Sequence, residues 1–502
     1  YRGLVRLSLR LRWLVIIGLV GTTALCVAAF GNVRQQFFPP ADTPLFYLDY
    51  KAAQGTGIHA VLDDLARIEA WLLDRPDVTA VTTSAGDSLS RFILTYAPAD
   101  PDPSYGQLVI RASDPRLIPA LGADLAAFTA EALPWAETRV QQIIYGPPVT
   151  ADVEVRFSGP DPDILRALGG QALAVFQTET DLLTGEHVSW REREASIVPL
   201  YAEARAQELG IARGNVADAI AVATDGLRVG TIREADRAIP LILRAEADRR
   251  LGEAPLEDQL IHSPVAGAYV PLTQVLDGFD IAVRDTLIER RGRVPTITVQ
   301  GFSPPGVLAP ESFAEVRAPI EAIPLPAGYR MEWGGEFESA GKAQASLGRQ
   351  MPLAFGSMFL LTLLLFGRLR QTFVIWAVVP MAINGVALAL LGTGLPFSFT
   401  ALLGLLSLSG MLIKNAIVLV EEIDLLKDET GLPQSQAIED AAVSRLRPIV
   451  LAAATTILGM IPLIRDPFFA SMAVTIMGGL GFASILTLVG VPAIYHTILR
   501  TE

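Results

Sequence analysis

The sequence predicts an α-helical membrane domain of six spans joined to a large α+β domain of ferredoxin-like βαβ subdomains that carries one inserted subdomain. Three observations lead to this fold class. The 502 residues are 51% hydrophobic and only 19% charged, whereas soluble proteins carry about 25% charged residues. The apolar residues are concentrated in six runs. A long polar stretch, residues 32–347, alternates strand-like and helix-like patterns.

The six apolar runs are long enough, or nearly so, for the roughly 20 residues that a helix needs to cross the hydrocarbon. The predicted spans are residues 13–31, 348–366, 373–393, 398–420, 448–464 and 470–493. A basic lead-in, residues 1–12, precedes the first span. That start also fits a secretory signal, but the run exceeds the roughly 7–15 residues of a signal core, so we predict a retained span.

The basic residues predict the orientation of the spans, because loops rich in Lys and Arg stay in the cytoplasm. They lie before the first span and in alternate loops after it, at Arg2, Arg6, Arg10, Arg12, Arg368, Arg370, Lys427, Arg445, Arg447 and Arg500. Both ends of the segment are therefore predicted to face the cytoplasm. The large domain is then periplasmic if the cell is bacterial.

Residues 432–446 lie in one of these cytoplasmic loops and have an amphipathic pattern. Their apolar side chains recur on one face, and Glu439 and Asp440 fall on another. This pattern predicts a helix that lies along the cytoplasmic membrane surface.

The polar stretch contains repeated strand–helix–strand units, which predict split βαβ subdomains. One unit covers residues 42–145, with a helix at 58–73 and paired strands at 77–83 and 91–96. A second covers residues 151–190 plus 294–337. The piece between them, about residues 195–287, is rich in Gly and Pro and predicts an insertion with its own small core.

Several classes of function are excluded by composition and motifs. The net charge of −13 and the lack of a basic stripe argue against nucleic acid as a partner. Cys26 is the single cysteine, so an internal disulfide or a cysteine metal cluster is impossible. The four histidines are scattered, and no nucleotide-binding or nucleophile motif occurs. We therefore expect neither an enzyme nor a bound metal or cofactor.

Lys414 is the informative residue, because it is the one charged side chain in the interior of the six apolar runs, whereas Arg349 lies at the very start of the second run. A lysine in the middle of a membrane helix costs roughly 2.5–3.5 kcal/mol on insertion scales. It could snorkel to the cytoplasmic surface, although helical side chains lean towards the N-terminus, which here points away from that surface. A buried Lys414 needs an anion, and none of the other five runs contains Asp or Glu.

The face of Lys414 therefore predicts a partner. Ser407, Gly410 and Met411 share this face and form a narrow, partly polar seam on which another helix could lie. We hypothesise that a second set of helices docks there and brings carboxylates. Such a cluster of lysine and carboxylates could bind and release a proton while the helices shift, which is the basis of a proton-driven conformational cycle.

Five sequence motifs are similar to those of one transporter family. They are Phe37-Phe38-Pro39-Pro40, Lys414-Asn415-Ala416-Ile417-Val418-Leu419-Val420-Glu421, Arg445-Leu446-Arg447-Pro448-Ile449, Leu458-Gly459-Met460-Ile461-Pro462-Leu463 and Met477-Gly478-Gly479-Leu480. With these motifs the whole chain resembles the C-terminal half of a resistance-nodulation-division (RND) transporter, in the hydrophobe/amphiphile exporter branch. By this resemblance the segment is one half of a longer transporter or a separately encoded half.

The resemblance implies a proton relay and no cofactor, with the proton as coupling ion. Lys414 would pair with an acidic pair on the N-terminal half, and Arg445 would join the relay. Asn415, Thr455 and Thr456 are further candidates, and Ala452 stands where the family often has a threonine.

The resemblance also implies partners and a substrate path. The inserted piece would be a docking subdomain that holds a homotrimer and meets an outer-membrane channel, with a periplasmic adaptor protein and membrane lipid as further partners. A substrate cleft would lie in the first unit. Its candidate residues are Thr82, Asp87, Leu89, Phe92 and Tyr96, of which Phe92 and Tyr96 also fit a core role.

The expected function is proton-driven efflux of small amphiphilic compounds from the inner membrane or periplasm, as in multidrug resistance. A heavy-metal exporter of the same architecture is the first alternative, although neither a methionine cluster nor acidic ligands along a span stand out. A non-transport receptor or scaffold of the membrane, or a protein-translocation accessory of related fold, is the other.

Overall fold

The computed structural model describes residues 1–147, 149–246 and 256–499. These residues form two compact units, of which the second is Arg191–Leu287. The second unit corresponds to the insertion predicted at residues 195–287. Residues 247–255 of this unit lie outside the described residues. Arg500, one of the basic residues that predict the orientation of the spans, lies outside them as well.

The first α+β subdomain follows two helices, α1 (Arg2–Arg10) and α2 (Arg12–Phe30). Its elements are β1 (Leu45–Lys51), α3 (Ile58–Leu73), β2 (Val78–Ala85), β3 (Tyr105–Ala112), α4 (Ile118–Ala132) and β4 (Glu137–Gln142). The strands form one antiparallel sheet in the order β2-β3-β1-β4. This β-α-β-β-α-β arrangement confirms the ferredoxin-like prediction.

The strand predicted at residues 91–96 is wrong, because this segment lies in the loop between β2 and β3. The strand that pairs with β2 is β3, which begins at Tyr105. The alternating pattern of residues 91–96 instead reflects the packing of Tyr96, which is 3% exposed and folds back onto the sheet.

The second subdomain is interrupted by the inserted unit. It begins with β5 (Val153–Ser158), α5 (Pro162–Thr178) and β6 (Thr184–Val188). The elements of the inserted unit are β7 (Glu194–Tyr201), α6 (Glu203–Glu208), α7 (Arg213–Ala223), β8 (Leu227–Glu234), β9 (Arg237–Leu243), β10 (Leu260–Ser263), β11 (Ala268–Pro271) and β12 (Leu276–Arg284). A small core that includes Ile211, Leu272 and Val275 supports this unit.

The chain then completes the second subdomain with β13 (Arg290–Arg291), β14 (Val294–Phe302), α8 (Ala309–Glu321) and β15 (Arg330–Trp333). The sheet order is β13-β14-β5-β15, and β6 also pairs with β14. Apart from the short β13, this is again the ferredoxin-like arrangement, with the insertion between its second and third strands.

Six helices in the described part of the chain are long and apolar enough to cross a membrane. After α2 they are built from α9 (Gly335–Phe366), α10 (Leu369–Ala377) with α11 (Ile383–Thr393), α12 (Phe399–Thr430), α13 (Gln434–Met460) and α14 (Pro467–Ile485) with α15 (Val491–Ile498). The third is interrupted near Pro380, and the sixth contains a π-helical turn at Leu486–Gly490.

The helix predicted at residues 432–446 does not form a separate surface helix. It is the first part of α13, which continues into the fifth span through Pro448. Its residues Ala437 and Ala441 are buried in the bundle. Glu439 is also buried and accepts hydrogen bonds from Arg6 of α1 at 3.0 and 3.1 Å, so the basic lead-in, not the membrane surface, covers this face.

Gly478 lies where two membrane helices cross in close contact, as expected for a glycine at a helix interface. A Cβ atom built on Gly478 would lie 2.2 Å from the Ala389 side chain of α11. One built on Gly385 would lie 2.4 Å from the Gly478 carbonyl oxygen. This crossing packs α14 tightly against α11, and the neighbouring Gly479 of α14 packs against Leu408 of α12.

Candidate proton-coupling site and substrate cleft

Lys414 lies on an exposed face of α12, about midway along the helix. Its neighbours Leu412, Ile413 and Ala416 are buried in the bundle, so the helix turns its lysine outwards. Lys414 has no hydrogen bond or ion pair with any residue in the described part of the chain. Among the described residues, the helix bundle therefore supplies the lysine but no counter-ion for it.

The open face continues along α12 in both directions from Lys414. Leu403, Ser407, Glu421 and Leu425 are also exposed and, with Lys414, recur at intervals of four or seven residues, which are one or two turns along one helix face. A Cβ atom built on Gly410 would meet no atom within 4 Å. This face is therefore open along the length of the helix and offers a site of close approach to another helix.

Arg445 is placed away from Lys414. Its guanidinium forms an ion pair of 2.5 Å with Glu422 of α12, and the Ser444 hydroxyl donates to the same carboxylate at 2.9 Å. Glu422 lies eight residues beyond Lys414, which is about 12 Å along an α-helix. In this chain Arg445 thus neutralises Glu422 rather than contacting the lysine.

The side chains of the remaining relay candidates form no hydrogen bond with Lys414 either. The Asn415 side chain is half-buried and makes no hydrogen bond with the described residues. The hydroxyls of Thr455 and Thr456 donate to carbonyl oxygens of their own helix, including that of Ala452 at 3.0 and 2.9 Å. A role for these side chains in proton transfer remains a prediction.

Sequence reasoning missed a second polar cluster in the bundle. Asp424 of α12 accepts hydrogen bonds from the Tyr495 hydroxyl of α15 and, at 3.3 Å, from the amide of Gln371 of α10. Gln371 is 1% exposed. Asp424 follows the end of the predicted span at residue 420, so the hydropathy pattern placed it outside the membrane helix. The continuation of α12 to Thr430 could have been predicted from the unbroken helical period of the sequence.

The predicted cleft residues divide into two groups. Thr82, Leu89 and Phe92 line one cavity of about 290 Å³ on the sheet of the first subdomain. The cavity is otherwise lined by Leu45, Ala80, Ser90, Val109 and Arg111. Arg111 is the one charged side chain among the described residues of this lining, so the cavity combines an apolar wall with a cation and two hydroxyl groups.

Tyr96 and Asp87 do not line this cavity. The Tyr96 hydroxyl is buried and donates to Gln107 at 2.8 Å, and its ring packs against Phe92, so Tyr96 has the core role. Asp87 accepts a hydrogen bond from the backbone of Ser88 at 2.7 Å and stabilises the loop.

A charged contact joins the two α+β subdomains. Asp49 is 7% exposed and pairs with Arg139 at 2.7 Å. The Arg139 guanidinium also lies 4.2 Å from the centre of the Phe302 ring of the second subdomain. His187 also stacks on Phe302, with ring centres 6.1 Å apart.

The six candidate spans and the two ferredoxin-like subdomains together have the fold of the RND class of membrane proteins. Residues 1–499 match the model of the AcrB/AcrD/AcrF family, and the chain belongs to that family. Members of this family are secondary transporters rather than enzymes.

The curated relatives include metal-resistance and multidrug-resistance proteins. The nickel and cobalt resistance protein CnrA of Cupriavidus metallidurans is 26% identical over 96% of this chain and 46% of its own length. The cation efflux system protein CzcA of an Alcaligenes species is 24% identical over 100% of this chain and 48% of its own. The multidrug resistance protein MdtC of Pantoea ananatis is 23% identical over 96% and 47%.

The fold is shared with solved transporters. A crystal structure of a heavy metal efflux pump superposes with a TM-score of 0.78 at 22% identity, covering 98% of this chain and 51% of that one. The chain spans about half the length of the curated relatives it matches.

The His187 environment predicts a pH-dependent stability. Burial, followed by the positive charge of Lys51, lowers the pKa of His187 to about 4. An unfolded imidazole binds a proton near pH 6.5, so between these values the unfolded state binds more protons. The free energy of unfolding therefore falls as the pH drops from about 6.5 to 4, by at most about 1.4 kcal/mol per pH unit.

We expect His187→Gln to flatten this part of the profile, measured as the thermal unfolding midpoint of the purified protein at pH 7 and pH 5. His262→Gln, on an exposed strand of the inserted unit, is the control and should leave the pH dependence as in the native protein. An unchanged pH dependence in His187→Gln would contradict this account of the histidine.

Proposed function

We propose that this chain forms one half of an RND efflux transporter driven by the proton motive force, with Lys414 as a coupling group. The observation that carries the proposal is the unpaired lysine on the open face of α12. A lysine at this depth costs roughly 2.5–3.5 kcal/mol unless it is paired. Membership of the transporter family supports the same role.

The missing counter-ion would come from helices that dock on the open face, whether they belong to the same polypeptide or to a second one. Carboxylates brought to Lys414 would share its positive charge while they are ionised. Protonation of a carboxylate would weaken that attraction and release the lysine. Alternation between the two arrangements would displace α12 relative to the docked helices, which converts proton movement into mechanical work.

The assembly and location of the transporter are part of the proposal. The basic residues at one end of the bundle favour a cytoplasmic location for that end, so the α+β domain would lie in the periplasm of a bacterium and the helices in the inner membrane. A homotrimer that works with a periplasmic adaptor protein and an outer-membrane channel is the assembly we expect.

Metal cations are the substrate class that the relatives favour over amphiphiles. Two relatives that match nearly the whole chain are named for resistance to, or efflux of, cations. The described residues contain no group of three or more His, Cys, Asp or Glu side chains that could hold a metal. The ligands for a transported cation would therefore come largely from residues beyond the described part of this chain.

Small amphiphiles are the second candidate, and the cavity in the first subdomain favours them. Phe92 and Leu89 provide an apolar wall, and Arg111 places a cation beside it. This combination suits an amphiphile with an anionic group, since a guanidinium binds a carboxylate well and repels a metal cation.

Lys414→Ala tests the coupling role. In the complete transporter, in a bacterium without other efflux pumps, we expect export to fall by at least about tenfold because the carboxylates lose their counter-ion. Lys427→Ala, a lysine near the end of the same helix, is the matched control and should export normally. Full export by Lys414→Ala at normal expression and assembly would overturn the proposal.

Growth assays with Arg111→Ala distinguish the two substrate classes. If metal cations are exported, the transporter raises tolerance to Ni²⁺ and Co²⁺, and Arg111→Ala preserves it. If anionic amphiphiles are exported, it raises tolerance to cholate, and Arg111→Ala lowers that tolerance by about tenfold through loss of a charge-assisted contact. Arg91→Ala is the control, because this exposed arginine lies outside the cavity lining. We expect the metal result, and increased tolerance to cholate alone would contradict it.

A further inference from the structure

The short segment that follows α2, residues 34–41, contacts the start of the lysine-bearing helix, and we call it the stem segment. The Phe397 amide donates to the Arg34 carbonyl at 2.8 Å, and the Gln36 amide donates to the Phe397 carbonyl at 3.2 Å. The amide of Phe399, the first residue of α12, donates to the Phe37 carbonyl at 3.1 Å. The backbone of the stem segment is thus bonded directly to the helix that carries Lys414.

Aromatic side chains reinforce this junction. The Phe38 ring lies 5.4 Å from Phe399 of α12 and 6.2 Å from Phe468 at the start of α14. Phe37 lies 5.8 Å from Phe399 and is only 8% exposed. Interfacial aromatic residues that anchor a helix in lipid point outwards, whereas these rings pack against one another between helices.

The stem segment also pairs with the end of the first α+β subdomain. Pro40 forms an antiparallel bridge with Ile144, and the Ala41 amide donates to the Ile143 carbonyl at 2.7 Å. Ile143 directly follows β4, which is an edge strand of the sheet in this subdomain. The stem segment is therefore bonded to the chain just beyond that edge strand. Two successive prolines, Pro39 and Pro40, restrict the backbone here and make the connection stiff.

The second subdomain is bonded to the same eight residues. The Arg34 guanidinium pairs with Glu311 at 2.6 and 2.9 Å and donates to the Gly306 carbonyl at 2.8 Å. Glu311 lies in the first turn of α8. One short, stiff segment therefore contacts the proton-coupling helix and both subdomains between which a substrate would pass.

We propose that the stem segment transmits displacement of α12 to the two α+β subdomains, with Phe38 as the positioning residue that connects the membrane side to the domain side. This inference rests on the proposed function, since it assumes that proton exchange at Lys414 moves α12. If Phe38 is removed, α12 still moves and protons still cross, but the subdomains no longer follow. The expected defect is uncoupling, which differs from loss of activity.

The experiment compares substrate and proton flow in the complete transporter, reconstituted in vesicles under an imposed pH gradient. The probe is Ni²⁺, or cholate if the growth assays identify that class, and a pH-sensitive dye in the vesicle lumen reports proton flux. For Phe38→Ala we expect substrate moved per proton to fall about tenfold, within the roughly 5–150-fold range of coupling between sites. The proton flux should stay near the native value.

Three further variants complete the test. Phe38→Tyr retains the ring and should restore the native ratio. Gly146→Ala changes the α+β side of the junction, because its Cβ would lie 2.6 Å from the Phe38 ring and displace it. We expect this variant also to move less substrate per proton than the native protein. Phe373→Ala, a membrane phenylalanine that is 57% exposed and outside the junction, is the matched control and should keep the native ratio.

A proportional loss of both flows in Phe38→Ala, or a native ratio in both Phe38→Ala and Gly146→Ala, would overturn the role of the stem segment while leaving the proposed function intact. If Lys414→Ala leaves both flows unchanged, the proposed function fails and this inference fails with it.

Discussion

A lysine midway along an apolar candidate membrane helix, Lys414 of α12, is the constraint on which the proposed function depends. The bundle buries the aliphatic neighbours of Lys414 and turns the lysine outwards, where the described residues offer it no anion. Two carboxylates further along the same helix do have partners, since Glu422 pairs with Arg445 and Asp424 accepts from Tyr495. Lys414, on the open face, has no such partner among the described residues.

The second feature is the short path between that face and the α+β domain. α12 begins at Phe399, and its first residues are bonded to the segment that enters the first subdomain. The Arg34–Glu311 pair adds the second subdomain to the same path. A displacement of α12 could thus reach both α+β subdomains directly through the stem segment, without a long series of intervening contacts.

The sequence predicted the elements whose signal is local. The helix at residues 58–73 was predicted to the residue because four apolar side chains recur at the helical period and a sheet covers them. The six spans followed from hydropathy, although their ends were less accurate, since α9 and α12 continue beyond the hydrocarbon as polar helices.

Contacts between distant residues could not be predicted in this way. The burial of Glu439 depends on Arg6, which lies 433 positions away, and an acidic residue on a helix face normally indicates exposure to water. Likewise the motif Phe37-Phe38 pointed to a family without indicating what the rings contact. Among the candidate cleft residues, Thr82, Leu89 and Phe92 line one cavity. Tyr96 is instead in the core, because its hydroxyl donates a hydrogen bond to Gln107.

The most direct measurement of the central claim is the distance from the Lys414 Nζ atom to its nearest carboxylate oxygen in an experimental structure of the complete assembly in lipid. A hydrogen-bonded carboxylate on a helix packed against the open face of α12, within about 4 Å and shielded from bulk water, is the predicted result. An ammonium group surrounded only by lipid tails, or one that reaches bulk water at the membrane surface, would contradict the account.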